Sequence, residues 1–550
     1  MFKTLSLFLA LSYIVIAQVV YEPLNRDVYS FLSRLSQKSV VVFDDQIRPV
    51  SRKYIAQKLI EASKKSNQLT SLEKEELDFF SKDFKLEFDI LNKIEIDSTQ
   101  LTMLGYDAGN RLRLFSFRND LFAINLSPIL GVTFGLHDDE NFTHTWNGIY
   151  TYGYLDKYIG FSFDFRDNTE KGNSLDKYKD FTPVTGVDAR SDRNTINYSA
   201  DKMEYSEAKA VLATDWSWGS FSVGKDFLEW GYGESGLLVL STKAPSFGFI
   251  RLDIKPVNWL RFNYIHGWLS SDVPDSSSFF YNNNGTISFS YRNKFIANHS
   301  LIITPTNGFD LSLGESVIYD DQLEYLYLIP IMFFRAADHH LSRQLNAAGA
   351  NAQFFLSVSS KGQIKNTHLY STLFIDEITL SGLFDSQKQR NQLGFTLGGS
   401  VTDLPIENLT ATIEYTKIYP FVYRHYIQTQ DYKSASYPLG HWMGNNADLI
   451  YASLNYRFIR GLQAKIWGQY IRKGEEGSYD QQYNIQPQPP FLFGLRQNYS
   501  YFGAEIKYEY THELFAKLKF QTTKIAKQQT NLSFNNNTIN EFYFSIYYGL

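Results

Sequence analysis

Ile159-Gly160-Phe161-Ser162-Phe163-Asp164-Phe165-Arg166 alternates without a break between apolar and small or polar side chains. Successive side chains of a β-strand point to opposite faces, so this stretch reads as a strand with one face for hydrocarbon and one for water. The same pattern recurs far away in the chain. Leu130, Val132, Phe134 and Leu136 alternate with Gly131, Thr133, Gly135 and His137, and Leu514, Ala516, Leu518 and Phe520 alternate with Phe515, Lys517, Lys519 and Gln521. A soluble β-sandwich would show this too, so three further features decide. The strand pattern runs from about Lys85 to Leu550 with no helical crossover, far beyond a sandwich of about 100 residues. Tyr and Trp cluster at strand ends (Trp146, Tyr150, Tyr152, Tyr154, Trp216, Trp218, Trp259, Tyr264, Trp268), as in the aromatic girdles of a barrel wall. The last stretch, Phe542 to Leu550, alternates to the chain end like a closing strand, although Leu550 stands where an aromatic residue is usual.

These features predict an all-β transmembrane barrel. Strands in lipid cannot leave N–H and C=O groups unpaired, so the sheet must close on itself. At roughly 25 residues per strand and connection, the stretch accommodates about 18 antiparallel strands. Long outer loops are expected at Asp167–Asp201, Asp272–Asn284, Thr429–Asn446 and Gly474–Pro490. Tight turns are expected at Ser127-Pro128 and Arg460-Gly461, and left-handed turn geometry at Asn282-Asn283-Asn284-Gly285.

The N-terminal part differs. Lys3 followed by the apolar run Leu5–Ile16 and the small Ala17 reads as a secretory signal, residues 1–17, cleaved before Gln18. From 18 to 84 the period is helical. Val28, Phe31, Leu32 and Leu35 form one stripe, and Ile55, Leu59 and Ala62 a second, after Pro49 and a capping Ser51. Thr70-Ser71-Leu72-Glu73 is a capping box opening a third helix with Leu77, Phe80 and Phe84 inward. A bundle this small is marginal alone and is expected to dock on the barrel, residues 85–550.

Composition narrows the function. The 550 residues carry no Cys, so neither disulfides nor N-terminal lipidation contribute, and 16% are aromatic, which excludes disorder. A net charge of −5 argues against nucleic acid as partner. No dinucleotide fingerprint, phosphate loop or nucleophile elbow occurs, so neither enzyme activity nor a cofactor is expected. Asp338-His339-His340 is a weak metal motif, because adjacent His residues on a strand would face apart, and no metal is expected.

The densest stretch is Lys225-Asp226-Phe227-Leu228-Glu229-Trp230-Gly231-Tyr232-Gly233-Glu234-Ser235-Gly236. Trp230 and Tyr232 could offer ring faces to sugars while Glu229 and Glu234 accept from hydroxyls. The same stretch also fits a packed constriction with the aromatics as filler. Glu315, on the strand leading to Tyr319, would not be tolerated against lipid and is expected to point inward, towards Arg251 or Arg335. Lys507, Lys517, Lys519, Arg111 and Arg113 form no ladder of a single sign.

Several phrases resemble the capsule-assembly Wzi family of outer-membrane barrels, in its Bacteroidetes type. They are Val28–Leu35 with Arg48-Pro49-Val50-Ser51-Arg52, Glu229-Trp230-Gly231-Tyr232-Gly233 with Leu240-Ser241 and Ala244-Pro245, and Asn298-His299-Ser300-Leu301. Gly314-Glu315-Ser316-Val317-Ile318-Tyr319 follows with Ile329-Pro330 and Phe334-Arg335, then Pro438-Leu439-Gly440-His441 with Gly444–Asp448. The resemblance implies a barrel with a small helical bundle at its periplasmic mouth and a lectin-like surface that anchors capsular or other surface polysaccharide. Partners would be that glycan, outer-membrane lipids and the barrel-insertion machinery. Within this reading Trp230 and Tyr232 stack on sugar rings, with Glu229 alongside. Glu315 and Arg335 orient a lumenal polar network that Arg251, His266 and Tyr319 join. The competing reading is a diffusion porin for small solutes, and a membrane-embedded hydrolase is a third.

Overall fold

The computed structural model describes residues 17–92, 99–107, 109–156, 158–187, 195–199, 201–344, 349–378 and 390–549. Residues 1–16 of the expected signal 1–17 lie outside the described residues, and Ala17–Gln18 pair with Asp215 and Thr214 at the barrel rim. The wall is a closed barrel of 18 strands. In chain order they are β1 Phe122–His137, β2 Glu140–Leu155, β3 Ile159–Gly172, β4 Lys202–Trp216, β5 Gly219–Asp226, β6 Phe247–Val257, β7 Leu260–Pro274, β8 Tyr291–Thr306 and β9 Phe309–Asp320. The ring continues with β10 Asn351–Lys361, β11 Thr367–Glu377, β12 Gln392–Thr402, β13 Leu409–Ile418, β14 Ala447–Ile459, β15 Leu462–Lys473, β16 Gln497–Thr511, β17 Leu514–Gln528 and β18 Phe534–Tyr548. Neighbours in sequence are antiparallel neighbours in space, and β18 closes the ring by setting Glu541–Tyr548 against His137–Leu130 of β1.

The other end of β1 has a different partner. A hairpin, Gln100–Tyr106 with Leu112–Arg118, sets Phe115–Arg118 against Leu126–Ala123. Ser127 and Pro128 are therefore not a turn, as expected, but lie inside β1. Pro128, which has no N–H to give, sits where β1 changes partner and the ladder on that side is broken. Arg460-Gly461 does form a turn, and Gly285 takes φ +74° as the Asn-rich run requires.

The alternation places the faces as read. Leu130, Phe134, Phe163, Leu518, Phe520 and Phe542 are exposed on the outside, whereas Asp164, Arg166, Lys517 and Lys519 line the inside. The aromatic reading needs correction. Trp218, Trp259 and Trp268 are exposed as girdle residues should be, but Tyr150, Tyr152 and Tyr154 are buried, and Trp146, paired with Gly131, shares their inward face.

Among the described residues, four helices precede the wall: α1 Val28–Gln37, α2 Arg52–Lys64, α3 Ser71–Asp83 and α4 Lys85–Leu91, so helix extends beyond Phe84. Ser51 caps α2 by accepting from the Tyr54 amide at 3.1 Å, and Thr70 and Glu73 close the capping box of α3. The expected stripes, Val28, Phe31, Leu32, Leu35, Ile55, Leu59, Ala62, Leu77 and Phe84, are buried together in one core. The bundle docks on the short-turn mouth by charge. Asp44 meets Arg261 at 3.0 Å and Lys255 at 3.1 Å, Glu76 meets Arg457 at 2.9 Å, and Asp27 meets Lys507 at 2.8 Å. The long connections expected as outer loops all lie at the opposite mouth, the first beginning only after Gly172.

Candidate functional site

The lumen is filled from both ends. From the short-turn side, Ile47–Arg48 reaches inward and pairs as a strand with Glu229–Trp230, reinforced by Arg48 on Glu229 at 2.9 Å. From the long-loop side, the connection 227–246 between β5 and β6 folds down to meet it. Gly231 takes φ +118° there, a conformation side-chain-bearing residues avoid, and gives its N–H to the Gln46 carbonyl. The connection 419–446 between β13 and β14 packs on top. Tyr423 and Tyr432 hydroxyls donate to the Leu238 and Val239 carbonyls at 2.6 and 2.8 Å, and the Trp442 indole donates to Ser235 O at 2.7 Å. These loops join inward-facing Phe249, Ile265, Ile296, Phe355, Phe374 and Leu449 in one dry core. Apolar packing on this scale is what a water-filled channel lacks.

One wall carboxylate holds the upper loop. Glu414 of β13, 1% exposed, accepts from the Glu234 and Ser235 amides at 2.8 and 3.0 Å, from the Tyr370 hydroxyl at 2.6 Å and from the Ser235 hydroxyl. Its role was not read from sequence. The available signal was a carboxylate at an inward position between outward Ile413 and Tyr415.

The lumen holds a cavity of about 1060 Å³ between the loops and the polar inner faces of β1–β5, β17 and β18. That is at the upper end of ordinary ligand pockets, roughly 300–1,000 Å³. Tyr21, Pro23, Leu24 and Asn25 of the N-terminal segment line its lower end, and Val184–Val187 and Ser434-Ala435 its upper end. Its side chains mix both charges with aromatic rings. Asp164 bridges Arg166 and Lys209, each at 3.0 Å, and Glu170 holds Lys179 at 2.8 Å and the Tyr205 hydroxyl at 2.9 Å. Lys517 meets Glu505 at 2.7 Å. Lys519 has no carboxylate partner among the described residues, and its ammonium lies 5.8 and 5.7 Å from the Trp467 and Tyr543 ring centres. Phe142, Phe227 and Tyr543 add ring surface.

The expected site residues fall in two places, and most do not line this cavity. Trp230 is fully buried, edge-on to Phe355 at 6.3 Å, and Tyr232 is 9% exposed, packed on His368 and Tyr370. Neither offers the open ring face expected; the packed constriction is what forms. Glu229 lines the cavity but is engaged by Arg48. Arg251 points inward to Asp253 at 2.8 Å, the Pro49 carbonyl at 2.9 Å and the Tyr21 ring, so it secures the N-terminal segment.

Glu315, His266 and Tyr319 point outward, contrary to expectation. They share the face of exposed Leu311 and Leu313, beneath a segment that covers the outside of the barrel. Glu315 meets neither guanidinium. It accepts from the amides of Phe334 and Arg335 at 2.8 and 2.6 Å, the first turn of helix α5 Phe334–Gln344. His266 Nε2 and the Tyr319 hydroxyl lie 2.7 Å apart. Arg335 is half exposed on that helix, 3.6 Å from Asp338. Asp338-His339-His340 thus lies on a helix rather than a strand; Asp338 accepts from the Ala350 amide at 2.7 Å, and both His residues are exposed.

The filled lumen carries a pH signature. Burial pushes the His441 imidazole, in the 419–446 loop, down to about 3. Its Nδ1 accepts from the Met443 amide, and its ring packs so tightly on Gly236 that a Cβ there would come within 2.7 Å. The unfolded value is about 6.5, so the fold holds His441 neutral. That stability is complete above about pH 6.5 and declines as pH falls towards 3, costing about 2 kcal/mol between pH 7 and 5. Thermal denaturation at the two pH values is expected to show this drop, and His441→Gln to reduce it.

The architecture and cavity define a plugged transmembrane barrel with a polar chamber. No family model matches the chain, and neither does any curated protein. Among solved structures it is similar to Wzi of Escherichia coli, described as an outer membrane protein involved in group 1 capsule assembly and a carbohydrate-binding β-barrel. The two share 12% identity with a TM-score of 0.54, over 97% of this chain and all of that one. OprD of Pseudomonas aeruginosa aligns at TM-score 0.41 and 11% identity, over 78% of this chain and 95% of its own. OpdK of the same organism, solved with vanillate, aligns at 0.42 and 11%, over 78% and 98%. Identities this low speak for the fold alone.

Proposed function

We propose that this chain is a Wzi-like outer-membrane barrel that holds capsular or another surface polysaccharide, with saccharide units seated in the lumenal chamber. The observation that carries the reading is a chamber of about 1060 Å³, polar and aromatic, inside a lumen otherwise closed by packed loops and an N-terminal plug. Sugar rings offer C–H faces to Phe142, Phe227 and Tyr543 and hydroxyls to Lys519, Lys225 and Asp164. The ammonium of Lys519, with no ion-paired carboxylate among the described residues, is the donor with most to gain. The dry core supports this role over that of a diffusion porin. No catalytic step is assigned to the chain.

The test is on cells. In a deletion strain, the wild-type gene is expected to restore surface polysaccharide, and Lys519→Glu to leave several-fold less on the cells and more in the medium. The amount of heat-modifiable barrel should stay the same. Equal retention in the deletion, wild-type and Lys519→Glu strains would overturn the proposal.

A further inference from the structure

Three outward-facing polar side chains on successive strands pose a problem: Tyr264 on β7, His299 on β8 and Glu315 on β9, aligned in register. Hydrocarbon would not satisfy them. Each is instead bonded to the backbone of the connection 321–350. The Tyr264 hydroxyl donates to Tyr327 O at 2.8 Å, His299 Nδ1 lies 2.9 Å from Pro330 O, and Glu315 receives the first amides of α5. Tyr327, Phe334, Ala337 and Leu341 bury against Phe295, Ala297, Val317 and Tyr319 of the wall. Residues 327–341 of this connection are therefore fastened to the outside of the barrel and do not project from its mouth.

The outer surface of this segment is graded. Helix α5 starts beside Glu315, where Phe333 lies 6.0 Å from the outward ring of Phe354, and by Asp338 it has climbed to Ala350, next to the first residue of β10. At its lower end Ile331 and Phe333 are 82% and 54% exposed. Directly below, the wall shows Leu301, Leu313 and Leu356, which are paired across β8, β9 and β10 and exposed. Above lie exposed Arg335, His339 and His340. The apolar band of the barrel is thus continued across the segment, with a cation and two imidazoles above it.

We propose that residues 329–340 form an interfacial membrane element. Ile331 and Phe333 sit in the acyl layer of the outer leaflet, and Arg335 and His340 sit at the level of the lipid phosphates. Amphipathic helices lie in this way, apolar side in the acyl boundary and cations at headgroups. The proposal concerns the outer wall and is independent of the glycan reading.

The absence of Cys makes the test clean. Single variants Leu313→Cys, Ile331→Cys, Arg335→Cys and His340→Cys would be nitroxide-labelled. The full-length barrel would then be reconstituted in phosphatidylethanolamine–phosphatidylglycerol vesicles. Accessibility to oxygen relative to an aqueous nickel chelate reads depth, and heat-modifiability confirms folding. Position 331 is expected to match the lipid-facing 313, with the ratio falling at 335 and again at 340. A label at 331 as open to the chelate as one at Asn283 in the long loop after β7 would overturn the proposal, as would a flat or reversed series.

Discussion

A Glu414→Ala barrel is expected to conduct in planar bilayers, where the wild-type barrel is expected to show no steady open steps. The carboxylate receives four hydrogen bonds, two from the backbone of the 227–246 loop, one from Ser235 and one from Tyr370. Removing it strands three buried donors, the Ser235 amide and hydroxyl and the Tyr370 hydroxyl, besides the more open Glu234 amide, and each buried unsatisfied group costs about 1–3 kcal/mol. The donors can recover only by reaching water, which requires the loop to leave the wall. The Trp442 indole and the Tyr423 and Tyr432 hydroxyls bond that same loop, so the 419–446 loop would loosen with it. Glu414→Gln keeps the shape but sets an amide N–H₂ against donors, and an intermediate effect is expected. Closed traces for Glu414→Ala at unchanged thermal stability would contradict the clamp.

The second large effect is expected at the lower end of the chamber. Arg52 is buried between Glu22 at 2.5 Å and Glu87 at 2.7 Å, with its guanidinium 4.3 and 4.6 Å from the Phe84 and Tyr152 ring centres. Burial alone would weaken its proton affinity, but Glu87, Tyr152 and Glu22 outweigh it and hold the group charged well above the ordinary range. Arg52→Ala leaves buried Glu87 without its cation and buried Glu22 with only the more distant Arg26 at 3.8 Å, and breaking a buried pair in this way costs about 3–5 kcal/mol. The helical signal in far-ultraviolet circular dichroism is expected to melt well before the strand signal, whereas in the wild type the two are expected to melt closer together. Arg52→Lys should recover part of the loss. An unaltered helical transition in Arg52→Ala would contradict this account of how the plug is held.

The period of two was legible because it is local: Ile159–Arg166 and Leu514–Gln521 need only their own residues to define two faces. The same holds for the helical stripe at Val28, Phe31, Leu32 and Leu35 and for the Thr70–Glu73 capping box. What alternation cannot state is which medium each face meets. Glu315 reads as a residue that must turn away from lipid, yet it faces outward because a segment that follows it in sequence supplies two amides and covers it. Trp230 and Tyr232 read equally well as platforms or as filler. Their burial depends on Ile47–Arg48, nearly two hundred residues away, pairing beside them. Tyr150, Tyr152 and Tyr154 look like girdle residues until the helical bundle sits against their inner face, where Glu87 accepts from Tyr154 at 2.8 Å. The chamber itself was half legible: Asp164, Arg166, Lys517 and Lys519 were placed on the wet face, but their convergence around one space follows from ring closure between β18 and β1.

The most direct test is equilibrium binding of size-fractionated surface polysaccharide, from the cells that make this protein, to the purified folded barrel. Saturable binding is expected for the wild type. About tenfold weaker binding, equivalent to about 1.4 kcal/mol, is expected for Lys519→Glu. Trp259→Ala, exposed at the outer surface and outside the chamber lining, should bind as the wild type does. No saturable binding by the wild-type barrel, or equal affinity for the Lys519→Glu barrel, would contradict the assignment of the lumenal chamber as a glycan seat.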